Sequence, residues 1–562
     1  MSGPPAPRAP CAAREDGFRR PRRRLSWRRW AILGAALILL LLVVLPPAGC
    51  GETAATLEQP VVEGGVIRGR ESSGVWSYLG VPYAAPPVGD LRWKPPQAVI
   101  PWKQVRVCDE YGPSCPQRTG LMQIGLLSVG HTSEDCLYLN VWTPAESPKD
   151  RLPVMVWIHG GSFTGGSASM PLYSGETLAR RGGVVVVGIN YRLGPFGFLA
   201  HPALSAESPR GISGNYGLLD QMAALTWVKE NIGVFGGDAT RVTVFGESAG
   251  AISVLHLMAS PLAQGLFQRA IAQSGVLWEG GLGSITGTTL GDAERAGREF
   301  VERLGLSGAS VMEGMRALTS DQLLAGTGAA QNPLSLGLSF GPVVDGHVLP
   351  DTATRVLAAT KQMDVPLLIG SNADEGELFL SAVGQLTPDQ YREYVRDLLV
   401  ESASAVLALY PADTKEEVSK ALSRMVTEMG FAATARFAAI CMNYPGIKSP
   451  AYLYQFTRVP TEAIRLPGVP QGAFHGLEIP YVFGKADTFG VQNPVDHSLS
   501  EEMIGMWTRF AATGNPNKPG SDFWPTYDRS ADRYLELGDT IVVKSGLYKQ
   551  ACDLADVIRV AK

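Results

Sequence analysis

Short aliphatic runs recur along the chain and alternate with stretches of helical spacing. The runs Pro153–His159, Val184–Asn190, Arg241–Gly246, Arg269–Gln273, Pro366–Gly370 and Tyr452–Phe456 are nearly continuous in apolar character. Strands buried on only one face alternate polar with apolar, so unbroken runs predict strands covered on both faces. Between them, Leu218–Ile232 repeats its apolar positions at Leu218, Met222, Leu225 and Val228, which predicts an amphipathic helix. Strands alternating with helices predict an α/β fold, a largely parallel sheet with helices on both faces. The stretch 280–341 is less regular and richer in glycine, and reads as a cap or insertion beside the sheet.

The front of the chain breaks this pattern. Arg8, Arg14, Arg19, Arg20, Arg22, Arg23, Arg24, Arg28 and Arg29 precede Trp30–Leu45, a continuous apolar run. That run is short for a span of about 20 residues and fits an export leader with a basic start. Leu45-Pro46-Pro47-Ala48-Gly49-Cys50 follows, with small residues before a cysteine, as where a bacterial lipoprotein leader is cleaved and Cys50 lipidated. Pro47 stands where that pattern prefers an aliphatic residue, so a plain signal peptide and an uncleaved anchor stay open. The expected organisation is a leader or anchor over 1–50, a tether over 51–60 and one enzyme domain over 61–562. The expected location is outside the cytoplasm, in a bacterial envelope or secreted, with membrane attachment only through the N-terminus.

Composition adds exclusions. A chain that is 45% hydrophobic and 18% charged, with net charge -4, is globular and carries no basic stripe for nucleic acid. None of its seven cysteines has CxxC spacing or a histidine set suited to zinc, so no metal site is expected and disulfides in an oxidising compartment are.

The candidate chemistry begins at Val242-Thr243-Val244-Phe245-Gly246-Glu247-Ser248-Ala249-Gly250. A β-rich run enters a Gly-x-Ser-x-Gly turn and a helical segment follows, the setting that presents a serine on a sharp elbow above a parallel sheet. Ser248 is therefore a candidate nucleophile for acyl transfer. The pattern repeats at Gly337–Gly341, but no helix follows Ser339, which fails the same test. A serine needs a base, an acid and an oxyanion site. With the order serine, acid, histidine, the bases left are His475, in a glycine-flanked loop, and His497, in a polar stretch. The acid follows the run Pro366–Gly370, where either Asp374 or Glu375 could orient the ring. Backbone donors are expected from His159-Gly160-Gly161-Ser162-Phe163 and from the N–H of Ala249.

Further segments carry a resemblance. Gly80-Val81-Pro82-Tyr83, Leu91-Arg92-Trp93, Ser133-Glu134-Asp135-Cys136-Leu137-Tyr138-Leu139-Asn140, Asn190-Tyr191-Arg192-Leu193-Gly194, Phe235-Gly236-Gly237-Asp238 and Ala272-Gln273-Ser274-Gly275 are similar to motifs of the type-B carboxylesterases, the cholinesterase-like branch of the α/β-hydrolases. The resemblance implies that fold, with helical cap insertions over an active-site gorge, and hydrolysis of carboxylic esters without a cofactor. It matches Glu375, rather than Asp374, to the triad acid, His475 to the base, and Gly161, Ser162 and Ala249 to the oxyanion donors. It also implies a disulfide Cys115–Cys136, a second Cys441–Cys552, an unpaired Cys108 and a structural ion pair Arg92–Glu134. Ser274 is expected to be a buried hydrogen-bonding serine behind the site. The loop Pro116–Thr132 has no aromatic residue for a quaternary ammonium, so neutral carboxylic esters rather than choline esters are the expected substrates. A non-catalytic adhesion module, the rival reading, would lack part of the triad.

Overall fold

Eleven strands form one sheet: β1 (Arg70–Ser72), β2 (Val75–Pro82), β3 (Tyr138–Thr143), β4 (Leu152–Ile158), β5 (Val185–Ile189), β6 (Gly237–Glu247), β7 (Arg269–Gln273), β8 (Leu367–Asn372), β9 (Ala451–Phe456), β10 (Arg533–Leu537) and β11 (Ile541–Ser545). The computed structural model describes residues 56–118, 125–277, 288–308, 310–327, 340–380, 386–460, 472–489 and 493–560. The leader with Cys50, the first half of the tether, and Ser339 lie outside the described residues, and Ala55–Lys562 makes one compact unit.

Across the sheet the order is β11-β10-β9-β8-β7-β6-β4-β5-β3-β2-β1. Every pairing from β10 to β5 is parallel. Both edges are antiparallel. The aliphatic runs follow from coverage of both faces. In β4, Val154, Val156 and Ile158 join one core cluster, while Met155 and Trp157 join the other. Each predicted strand is present, with its ends shifted by a few residues at most.

The helical expectation Leu218–Ile232 is met by Tyr216–Asn231. In the predicted cap, Leu290–Arg303, Val311–Ala317 and Ser320–Ala325 are helices. The antiparallel edges, a small sheet of Val61–Val62, Gly65–Arg68 and Arg106–Val107, and a π-helical turn at Val426–Ala432 have no counterpart in the sequence reading.

Cys115 and Cys136 are bonded, with their Cα atoms 5.0 Å apart. The second expected bridge is corrected: Cys441 and Cys552 are both buried free thiols, as is Cys108. The Cys552 sulfur faces the carbonyls of Leu547 at 3.3 Å and Glu428 at 3.8 Å. Charge links the two helices instead. Arg436, on Ala433–Cys441, pairs with Asp553 of Lys549–Val560 at 2.9 Å and with Asp532 at 2.9 Å. Burial pushes both thiols up to about 12, which leaves them protonated.

In open α/β sheets the site lies beyond the carboxyl ends of the strands, where the order reverses. Here β4 is followed by β5 on one side and has β6 on the other, and the reversal falls between β4 and β6.

Candidate active site

Ser248 follows β6 directly and caps the helix Ala249–Ala259, with φ 56° and ψ −123°. That backbone is strained for a residue with a Cβ, as at a nucleophile elbow. The flanking glycines serve close approach. A Cβ on Gly246 would lie 2.6 Å from the Gly250 carbonyl carbon, and one on Gly250 2.0 Å from the Ile158 oxygen. The elbow is pinned by the Ser248 N–H, which donates to the Gln273 carbonyl at 2.9 Å.

The loop after β4 wraps this turn. Gly161 has φ 108°, and Ser162 and Phe163 also have positive φ. A Cβ on Gly161 would sit 2.3 Å from the Gly165 oxygen. The N–H groups of Gly161, Ser162 and Ala249 have no hydrogen-bond partner among the described residues. Gln117 ties the loop to the Cys115 disulfide, donating to the Cys115 and Gly166 carbonyls and accepting from the Gly166 N–H at 2.8 Å. His159 stacks on Tyr191 with centroids 4.5 Å apart. Burial lowers its pKa to about 4, outweighing a hydrogen bond with Gly160 O, so it is a neutral strut.

Glu375 and Asp374 take different partners. Glu375 is fully buried; one oxygen accepts the Asn372 N–H at 2.7 Å and the other faces Nδ1 of His475 at 2.5 Å. Asp374 holds the histidine loop by its backbone, accepting the Ala473 N–H at 2.8 Å while its own N–H donates to Ala473 O at 3.0 Å. The ring of His475 lies against Phe379 and Phe431, with centroids 5.0 and 4.9 Å away. Glu478 is buried behind it, accepting from Gln273 at 3.0 Å and Asn372 at 2.6 Å.

One expected contact is not made. Ser248 forms no hydrogen bond to His475 among the described residues; Nε2 of His475 instead lies 3.0 Å from Oε1 of Glu247, the residue before the nucleophile. Both ring nitrogens therefore face carboxylates. Burial alone would lower the His475 pKa, but Glu247 and Glu375 raise it to about 9. Burial raises Glu247 in turn, against the opposing pull of His475, with Glu478 and Glu375 adding to the rise. These two atoms face each other without a hydrogen bond, so the effect of Glu247 is electrostatic: carboxylates on both sides of the ring favour its protonated form. Apo hydrolases often tighten the serine–histidine contact only with substrate bound.

His256 and His497 take contacts of their own. His256 is buried in its helix with Nδ1 2.8 Å from Ile252 O, and His497 is exposed beside Glu501. Arg92 and Glu134 form the expected ion pair at 2.5 Å. Ser274 has a buried hydroxyl with no hydrogen-bond partner among the described residues, contrary to the expectation of a hydrogen-bonded one, and it lines a cavity at Ser248. Sequence reasoning missed Glu247, Glu478, Gln117 and Phe431. Two had a readable signal: Glu247 as a carboxylate inside a strand buried on both faces, and Glu478 as the glutamate of the His-Gly-x-Glu pattern that begins at His475. Among the described residues no group of three or more His, Cys, Asp or Glu is placed to hold a metal ion.

The model of the carboxylesterase family matches residues 54–555. The chain is 39% identical over 500 residues to fumonisin B1 esterase of Sphingopyxis macrogoltabida, covering 86% of this chain and 87% of that one. It is 37% identical over 496 residues to para-nitrobenzyl esterase of Bacillus subtilis (strain 168), covering 86% and 95%. A solved PNB esterase structure superposes with a TM-score of 0.78 at 34% identity, over 89% of this chain and 99% of that one. A family model that matches residues 54–555, and identities of 39% and 37% to two esterases over most of both chains, show that the chain belongs to the carboxylesterase family.

Proposed function

We propose that this carboxylic ester hydrolase works through Ser248, His475 and Glu375, with the N–H groups of Gly161, Ser162 and Ala249 as its oxyanion hole. The observation that carries the assignment is the 2.5 Å contact of His475 Nδ1 with Glu375, on the loop facing a strained serine. In the neutral form of His475, which keeps one proton on Nδ1 toward Glu375 after the second has gone to solvent, Nε2 turns from Glu247 and takes the Ser248 proton as Oγ attacks the ester carbonyl. The carbonyl oxygen gains charge and is held by the three backbone donors, of which each is worth about 10²–10³ in turnover. His475 then passes the proton to the alcohol oxygen as the C–O bond breaks. Water, deprotonated by the same nitrogen, cleaves the acyl-enzyme and restores Ser248. Small-molecule esters are the substrates. Labelling with a fluorophosphonate followed by peptide mapping tests the assignment: modification at Ser248 supports it, and modification at another serine overturns it.

The N-terminal region belongs to a second proposal. The arginine-rich start and the run Trp30–Leu45 support residues 1–50 as an export leader, residues 51–60 as a tether and residues 61–562 as the catalytic domain. Cys50 is the proposed lipidation site, placing the enzyme at a membrane surface outside the cytoplasm. No helix of the described residues is long and apolar enough to cross a membrane. Mass spectrometry of the mature N-terminus distinguishes the forms. A lipid-modified Cys50 supports anchoring, an unmodified new N-terminus supports secretion, and an intact Met1 refutes cleavage.

A further inference from the structure

A cavity of about 10 Å³ adjoins Ser248, bounded by the donors Ser162 and Ala249 and by Phe163, Ile252, Val276 and Phe431. That is room for roughly one water molecule, or one non-hydrogen atom. His475 is not among its described walls. The departing alcohol must lie where His475 can protonate it, so a recess beside the oxyanion donors that the imidazole does not line, with Phe431 between the two, receives the acyl side. Ser274 also lines it, and its buried Oγ has no hydrogen-bond partner among the described residues. A buried hydroxyl without a partner is unfavourable, and such groups in native proteins commonly mark a ligand or ordered water. The backbone of Ser274 is fixed, with φ 53° and its N–H donating to Gly370 O at 2.9 Å. Another wall is Phe431. It rides on the π-helical turn Val426–Ala432, and its ring stacks on Phe379 at 5.7 Å. Such turns are often found at functional sites.

We propose that this recess is an acyl subsite for short 2-hydroxyacyl groups, such as glycolyl, in which the Ser274 hydroxyl donates a hydrogen bond to the acyl oxygen and Phe431 limits chain length. The first acyl carbon sits in the mouth beside Ser248, and the hydroxyl oxygen fills the water-sized space. The proposal rests on Ser248 being the nucleophile.

The test is a pair of near-isosteric esters, ethyl glycolate and ethyl propionate, with ethyl hexanoate added, assayed by release of acid on the full chain. Ser274→Ala should lower the glycolate-to-propionate ratio of kcat/KM by about threefold to tenfold, the size of one neutral hydrogen bond. Comparing ratios between variants cancels the greater chemical reactivity of the glycolate. Ser274→Gly, which relieves the positive φ, should do the same. Phe431→Ala should raise hexanoate over propionate by about tenfold or more. An unchanged glycolate ratio in both Ser274 variants overturns the hydroxyl reading, and an unchanged hexanoate ratio overturns the wall. Fluorophosphonate labelling of each variant keeps the tests apart. Failure to label wild-type Ser248 refutes the nucleophile, whereas labelled variants with unmoved ratios refute only the subsite.

Discussion

Oε1 of Glu247 lies 3.0 Å from Nε2 of His475, so the residue before the nucleophile occupies the ring nitrogen that Ser248 needs. The consequence is a pH dependence. Glu247 and Glu375 overcome the effect of burial and raise His475 from 6.5 to about 9. The base works only when unprotonated, so kcat/KM should rise with pH through an apparent pKa above 6.5. Glu247→Gln removes one of the two carboxylates at the ring, and the midpoint should move down toward 6.5. The stability link has the opposite slope. The raised pKa contributes stability that is fully present below about 6.5 and is lost as pH climbs toward 9. Rate profiles of the two proteins between pH 5 and pH 10, on the scale of these shifts, check this. Superimposable midpoints would show that Glu247 does not control the ring.

Adjacent carboxylates with different partners should give different variants. Glu375→Gln keeps the shape but removes the charge on His475 Nδ1, and should cut turnover by about 10³–10⁴. Asp374→Ala removes the acceptor of the Ala473 N–H and should act first on stability, by about 1–2 kcal/mol. Ser248→Ala should cost on the order of 10⁶ in turnover. Steady-state kinetics with thermal unfolding separates these effects, and an Asp374→Ala enzyme as inactive as Glu375→Gln at full stability would reverse the two roles.

Much of this architecture could be read from the chain because central strands buried on both faces must be apolar throughout. Val185–Ile189 announces itself, whereas β11 at Ile541–Ser545, partly exposed along its length, resembles a loop. Ser248 was legible because a strand, a turn and a helix meet around it. The choice between Asp374 and Glu375 came only from the family resemblance, since the local residues cannot show side-chain direction toward a loop about a hundred residues away. Phe431 carries no signal in a segment that reads as ordinary core, and only its approach to His475 gives it a role. The bridge Cys441–Cys552 was carried over from a resemblance, and the Arg436 ion pairs stand in its place.

The elbow glycines make a steric prediction. Gly250→Ala would place a Cβ 2.0 Å from the Ile158 carbonyl oxygen, in backbone that cannot retreat without disturbing β4. The expected cost is at least about 1–3 kcal/mol, with the oxyanion loop after β4 displaced as well. Thermal unfolding and ester turnover should both fall. A Gly250→Ala enzyme with wild-type melting temperature and rate would contradict the packing described.

Cysteine states can be counted directly. Unfolding without reductant and alkylating should label Cys108, Cys441 and Cys552 and leave Cys115 and Cys136 unlabelled until reduction. In the folded enzyme the three thiols should react slowly, because each is buried and raised well above the usual thiol range. Replacing Cys115 and Cys136 with serine opens a loop spanning 21 residues, a loss of about 3 kcal/mol in the chain-entropy model. It also frees the segment that carries Gln117, so the loop bearing Gly161 and Ser162 should loosen and turnover should drop beyond what stability explains. Serine at Cys441 and Cys552 removes no crosslink, and should cost only the burial of two hydroxyls in place of thiols. Peptide mapping that finds Cys441 joined to Cys552 would restore the covalent link, and Arg436 would then be a supplement to it.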